Sequence, residues 1–310
     1  MDTVVYRATS TADLGHPLGL ALANAARDKR QAFHVILTSG MYELRELSLR
    51  EGIDIAIRLE CDGETPATVK GTNVDLEGHT VEVRNLVIQP RRSDIAALRI
   101  RVRNAATVER VAILSADVGA KDVNSSVLEI ASRPMVRPPD PVPPARATLR
   151  DVWIVGSKVQ GQSGAAVLGF PDRGRGYFDH IEIERLVLAN NTAPAGIDVE
   201  FASSVTLRDI IVIEPDLKVP WLRVRDPDAQ IRMDGGFIAV DASVIGTKAN
   251  LPEITVHNVE FRGAAPDERI AQATNTFGPR LRPIRDWSFV LTAARAAAIP
   301  DRAALTASLR

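Results

Sequence analysis

One phrase of eight residues, apolar-x-apolar-x-turn-apolar-x-apolar, recurs along this chain and restricts its fold more than any other feature. It reads VEVRNLVI from Val81, with its turn residue at Asn85, then ATVERVAI (Arg110), ATLRDVWI (Asp151) and IEIERLVL (Arg185). VTLRDIIV (Asp209), the looser IRMDGGFI (Gly235) and ITVHNVEF (Asn258) complete the series. Successive turn residues lie 25, 41, 34, 24, 26 and 23 residues apart. The two long steps carry insertions, RPMVRPPDPVPPAR (133–146) and GFPDRGRGY (169–177). Without them the period is about two dozen residues, which marks a repeat architecture.

Val, Ile and Leu at a period of 2 make the unit a β-strand. Residues 83 and 86 would face opposite ways on one straight strand, yet both are apolar. A corner must therefore reset the parity between them. Asn, Asp and Gly reach left-handed backbone angles at least cost and suit that corner; Arg110 and Arg185 suit it less. Strand, corner and strand repeated every ~24–25 residues describe one coil of a parallel β-helix, whose stacked coils share one core. A β-sandwich also supplies many short strands, but it does not need the same corner at a fixed period.

Ahead of the ladder, STADLGHPLGLALANAARD (10–28) has apolar residues at helical spacing behind a Ser or Thr able to cap it. FHVILTSGMYEL then reads as the first strand, followed by Gly40-Met41-Tyr42. This order, with the ladder behind it, resembles the right-handed parallel β-helix proteins of the pectin-lyase-like superfamily over roughly residues 3–263. The resemblance implies an all-β, single-stranded right-handed parallel β-helix as one domain, 1–263, with an N-terminal capping helix. From 264 to 310 the pattern stops. RIAQATNTFGPRLRPIRDWSF is irregular, and SFVLTAARAAAIPDRAALTASLR reads as Ala-rich helix interrupted at Pro300. That segment is expected to cap the last coil or to serve as an oligomerisation arm.

Lys and Arg (38) balance Asp and Glu (39), so no global field draws nucleic acid or acidic lipid. One cysteine, Cys61, excludes a disulfide framework and a clustered thiolate site. It aligns with the turn position of an earlier coil and is expected to be structural. The five histidines are scattered, so no metal or cofactor is expected. The opening residues carry no basic start before an apolar run, and no stretch of 18 apolar residues exists to span a membrane. The expected location is the cytoplasm, an export route without a classical signal, or that of a processed secreted or periplasmic form.

Proteins of the resembled superfamily include polysaccharide lyases and hydrolases as well as spikes and adhesins, and fold alone does not choose among them. YFDHIEIE (177–184) is similar to a pectate-lyase stretch, but the Arg-x-Pro-x-x-Arg partner is represented only by RPMVR (133–137) and RPIR (282–285). No residue is carried over, and Asp179 and His180 read as polar residues at a turn before a strand. The polygalacturonase Asp pair, a nucleophile elbow and a phosphate loop are absent.

A second strand follows each phrase, as in LRIRV (98–102), LEI (128–130), IDVEF (197–201) and LRVR (222–225). With the apolar residues inward, Arg99, Arg101, Glu129, Asp198, Glu200, Arg223 and Arg225 should point outward, and Trp221 with them. Asp198 and Glu200, about 6.5–7 Å apart on one face, could act as acid and base, with Arg223 neutralising charge at the reacting centre. Arg225, Arg99, Arg101, Glu129 and Trp221 would bind an acidic polysaccharide. The same residues could instead form an ion-pair ladder between rungs. The function expected first is recognition or cleavage of an acidic polysaccharide. The alternative is a non-catalytic part of a spike, filament or injection-like assembly. Partners would be such a glycan or a protein, with self-association through the C-terminal segment or the proline-rich insertion.

Overall fold

The computed structural model describes residues 2–44, 47–52, 54–71, 73–93, 95–119, 125–132, 144–161, 165–171, 176–214, 221–226, 228–240, 245–246 and 253–263. Its strands form one large sheet whose pairings are all parallel, wound as a solenoid with three faces. One coil shows the plan. Residues 81–84 lie on face 1, Asn85 makes the corner, 86–89 lie on face 2 and 98–102 on face 3. Each later phrase stacks on its predecessor in register, as with Val83 on Val108, Val108 on Leu149 and Leu149 on Ile183. Between faces 2 and 3, a short ladder pairs Asp117–Val118 with Lys158–Val159.

Asn85, Arg110, Asp151, Arg185 and Asp209 adopt φ between 51° and 56°, and Gly235 φ 78°. A left-handed residue between two extended ones turns the chain so that the side chains two before it and one after it both stay inward. Val83, Leu86, Ile183, Leu186, Leu207, Ile210, Val256 and Val259 are accordingly all buried in one continuous core. Cys61 is buried, its thiol donating to the Thr65 carbonyl at 3.4 Å. Asn85 above it donates its amide to the carbonyls of Cys61 (3.2 Å) and Gly63 (2.6 Å), tying one corner to the coil below.

The two arginine corners have a charge-based explanation. Corner residues stack as Arg110, Asp151, Arg185 and Asp209, alternating in sign. Arg185 forks onto Asp151 at 2.6 and 2.9 Å. That bond, first among the causes and set against burial, raises the Arg185 pKa above its ordinary value. The neighbouring column on face 1 alternates through Glu60, Arg84, Glu109, Arg150, Glu184, Arg208 and Asp234, each in register with the next. Arg84–Glu109 at 3.5 Å and Arg150–Glu184 at 3.4 Å are direct pairs within it. Rungs of a parallel stack bring like positions to about 4.8 Å, where equal charges repel and opposite ones attract.

The N-terminus starts one rung earlier than expected. Strand β1 (Thr3–Ala8) pairs in register with β2 (Ala32–Leu37), so face 1 begins before the FHVIL strand. A 3-10 turn (Thr11–Leu14) and helix α1 (His16–Arg27) follow, where the spacing predicts a helix over 10–28. Leu18, Leu22 and Ala25 are buried on one side of α1, which packs on β1 and on strand Leu47–Gly52. Asp13 accepts the Thr9 and Ser10 backbone N–H groups at 2.8 Å each. These bonds, the Thr9 one first, lower its pKa. Tyr42 of the Gly-x-Tyr is buried and donates its hydroxyl to the Ala8 carbonyl at 2.9 Å, closing the first rung.

The expected C-terminal cap or arm (264–310), most of the proline-rich insertion and residues 172–175 of the second insertion lie outside the described residues. Among the described residues, no helix is long and apolar enough to cross a membrane.

Candidate functional site

Face 3 carries the residues singled out for chemistry. Its outward column runs Asp75, Arg99, Glu129, Gly169, Asp198 and Arg223, each in register with the next. A parallel column places Glu77 beside Arg101. Gly169 offers no side chain, so the column divides into two clusters.

In the C-terminal cluster, Arg223 donates its Nε to Asp198 Oδ1 at 2.6 Å, as the 25-residue spacing predicts. Arg225 reaches diagonally, with Nη2 2.8 Å from Asp198 Oδ2 and Nη1 3.6 Å from Glu200 Oε1. Burial alone would lower the Arg225 pKa, but the bonds to Asp198 and the nearness of Glu200 outweigh it and leave the value raised. In the N-terminal cluster, Arg99 holds Glu129 at 3.1 Å, and Arg101 holds Asp75 at 2.9 Å and Glu77 at 3.1 Å. Asp75 and Glu77 escape the sequence reading because VDLEG (74–78) runs straight into the next phrase without a turn cluster. The signal was Gly78, where a Cβ would meet the Ile55 carbonyl at 2.7 Å, so the close approach of two coils requires glycine.

Two expectations need correction. Trp221 does not face outward: it is 0% exposed and lies in the main core. Trp221 and the adjacent Leu222 are both buried in that core, so the alternation of strand Leu222–Val224 does not extend back to Trp221. Nor is the column an open surface. Asp198 is 3% and Glu129 1% exposed, each held beneath arginines of an adjacent rung. An acid or base must reach substrate, and Asp198 directs both oxygens at guanidinium groups instead. Glu200 and Arg225 keep partial exposure. Asp179 and His180 lie within strand Phe178–Ala189 rather than before it, Asp179 on Arg146 at 3.2 Å and His180 on Ser204 at 2.8 Å.

No group of three or more His, Cys, Asp or Glu side chains able to hold a metal occurs among the described residues. Comparison with family models, curated proteins and solved structures finds no match in any of the three.

Proposed function

We propose that this chain is a non-catalytic β-solenoid module, a rigid stalk or assembly component, of the kind found beside enzymes in the pectin-lyase-like superfamily that its helix-then-coil order resembles. The observation that carries this reading is Asp198, buried and held by two arginines where a catalytic carboxylate would need access. Among the described residues, the charged columns of faces 1 and 3 pair rung against rung. A second reading, recognition of an acidic polysaccharide, draws on one feature: Arg225, with 32% of its side chain exposed beside Glu200, could exchange partners for a uronate.

The test incubates the protein with a panel of polyuronates and follows absorbance at 235 nm and new reducing ends. The expected result is neither signal, with sedimentation showing association with itself or a partner protein. Product that disappears in Glu200→Gln would overturn the scaffold reading. Glycan binding without product, lost in Arg225→Ala, would favour the second.

A further inference from the structure

At the N-terminal end of the solenoid two faces are covered and the third is open. On face 2, Glu43 of strand Met41–Glu43 donates its backbone N–H to Thr11 Oγ1 of the 3-10 turn. On face 3, helix α1 packs on strand Leu47–Gly52. On face 1, β1 pairs with β2 alone among the described residues. The Gln31 N–H donates to the Asp2 carbonyl at 3.1 Å and the Thr38 N–H to the Ala8 carbonyl at 3.2 Å. Backbone groups alternate in direction along a strand. Asp2, Val4, Tyr6 and Ala8 therefore turn theirs toward β2, and Thr3, Val5 and Arg7 turn theirs to the open edge. Thr9, next in the outer set, is already bound by Asp13 at 2.8 Å.

An open edge is a template for another strand, and proteins usually guard it with Lys, Pro or an unpaired charge. The sequence TVVYRA has no Lys or Pro, and its one charge, Arg7, turns onto Asp62 of its own chain at 2.9 Å. The three most exposed large apolar side chains among the described residues also lie at this end: Val5 (53%), Leu20 (54%) and Met41 (63%). Gathered apolar exposure of this kind marks a contact surface.

We propose that β1 pairs antiparallel with β1 of a second copy, on a twofold axis through Val5. The strand is complementary to itself in this register. Val5 meets Val5 and Thr3 meets Arg7, so all three edge residues of each copy exchange backbone bonds. Centring on Val4 or Tyr6 leaves one of the three without a partner. The same register sets Val4 against Tyr6 on the core side and keeps the two Arg7 side chains apart. The axis is perpendicular to the joined sheet, so both α1 helices lie on its core side. There Leu20, opposite the buried Leu18 and Leu22, is available for contact between them. Head-to-tail stacking on strand Glu253–Gly263 is obstructed on faces 2 and 3 by the 3-10 turn and α1. The isologous contact closes after two copies. The inference goes beyond the scaffold reading, because this dimer forms whether or not the module is catalytic, and no glycan assay bears on it.

The test uses the full-length chain. Sedimentation over a range of concentrations should show a reversible monomer–dimer equilibrium. In a Cys61→Ser background, Val5→Cys should form a disulfide at dimer mass on mild oxidation, since facing Cα atoms of a hydrogen-bonded antiparallel pair are about 5.5 Å apart. Thr3→Cys should not link to itself but should link to Arg7→Cys when the two variants are mixed. Val5→Pro removes an N–H that only the dimer uses, so it should give a monomer with an unchanged thermal transition. Should that variant fold poorly, Val5→Lys brings two like charges together on the axis and should weaken dimerisation by at least about tenfold. A wild-type chain monomeric at every concentration, assemblies that grow beyond two copies, no disulfide in Val5→Cys, or an unchanged dimer in Val5→Lys would each overturn the proposal.

Discussion

At the scale of single residues, the corner shows how an unfavourable conformation is held. A left-handed non-glycine residue costs about 1–3 kcal/mol, and Arg185 has no local side-chain device of the Asn or Asp kind to lessen it. Its compensation is the fork onto Asp151 one rung below. A double-mutant cycle of Asp151→Ala and Arg185→Ala should therefore give a coupling of about 1 kcal/mol by denaturant titration, modest because both side chains are partly exposed. Arg185→Gly should cost less than Arg185→Ala, since glycine removes the strain while losing the same pair. A coupling near zero would leave the Arg185 conformation without an account. The corner positions were legible in the sequence down to the residue, because left-handed turns between apolar strands are local chemistry. The pairing that permits arginine there was not read from the sequence, in which Arg110 and Arg185 suit the corner less, because it depends on the residue one rung away.

At the scale of the element, each strand places its charges against those of its neighbours. The face 1 column from Glu60 to Asp234 never sets like charges on adjacent rungs. Glu184→Arg would place three arginines in succession, with Arg150 below and Arg208 above. It should destabilise the protein by about 0.5–1 kcal/mol more than Glu184→Gln. The difference should shrink in 1 M salt, where screening acts over about 3 Å. A difference indifferent to salt would point to packing instead. A slip by one coil would misalign these columns, so alternation favours a single register in a stack whose apolar core is nearly the same on every rung. The face 3 ladder follows the same rule at deeper burial, which is why residues with the composition of a sugar-binding groove pair with each other.

At the scale of the whole molecule, coils touch only their neighbours, so stability adds along the stack rather than residing in one centre. Leu149→Ala, in a middle coil, should cost about 2–4 kcal/mol and lower the global transition. Val256→Ala, in the last described strand, should act mainly on its own end. Hydrogen exchange of 253–263 should accelerate while the midpoint moves little. Equal shifts in midpoint for the two variants would mean that the solenoid unfolds as one cooperative unit.

What the sequence determined by itself was the period, the strand-corner-strand unit, the N-terminal helix and the inward set of side chains, because each follows from spacing and backbone preference within a few residues. What only the tertiary structure decided was which outward positions meet water. Trp221 turned inward just ahead of strand Leu222–Val224, where the strand's alternation no longer applies. Asp198 and Glu129 lie under arginines from adjoining rungs, and Val87, Trp153, Val187 and Ile211 face away from the core yet are buried. A strand's period tells which of its two sides a residue takes. What lies above that side is set by chain one or more coils away, which a local pattern does not encode.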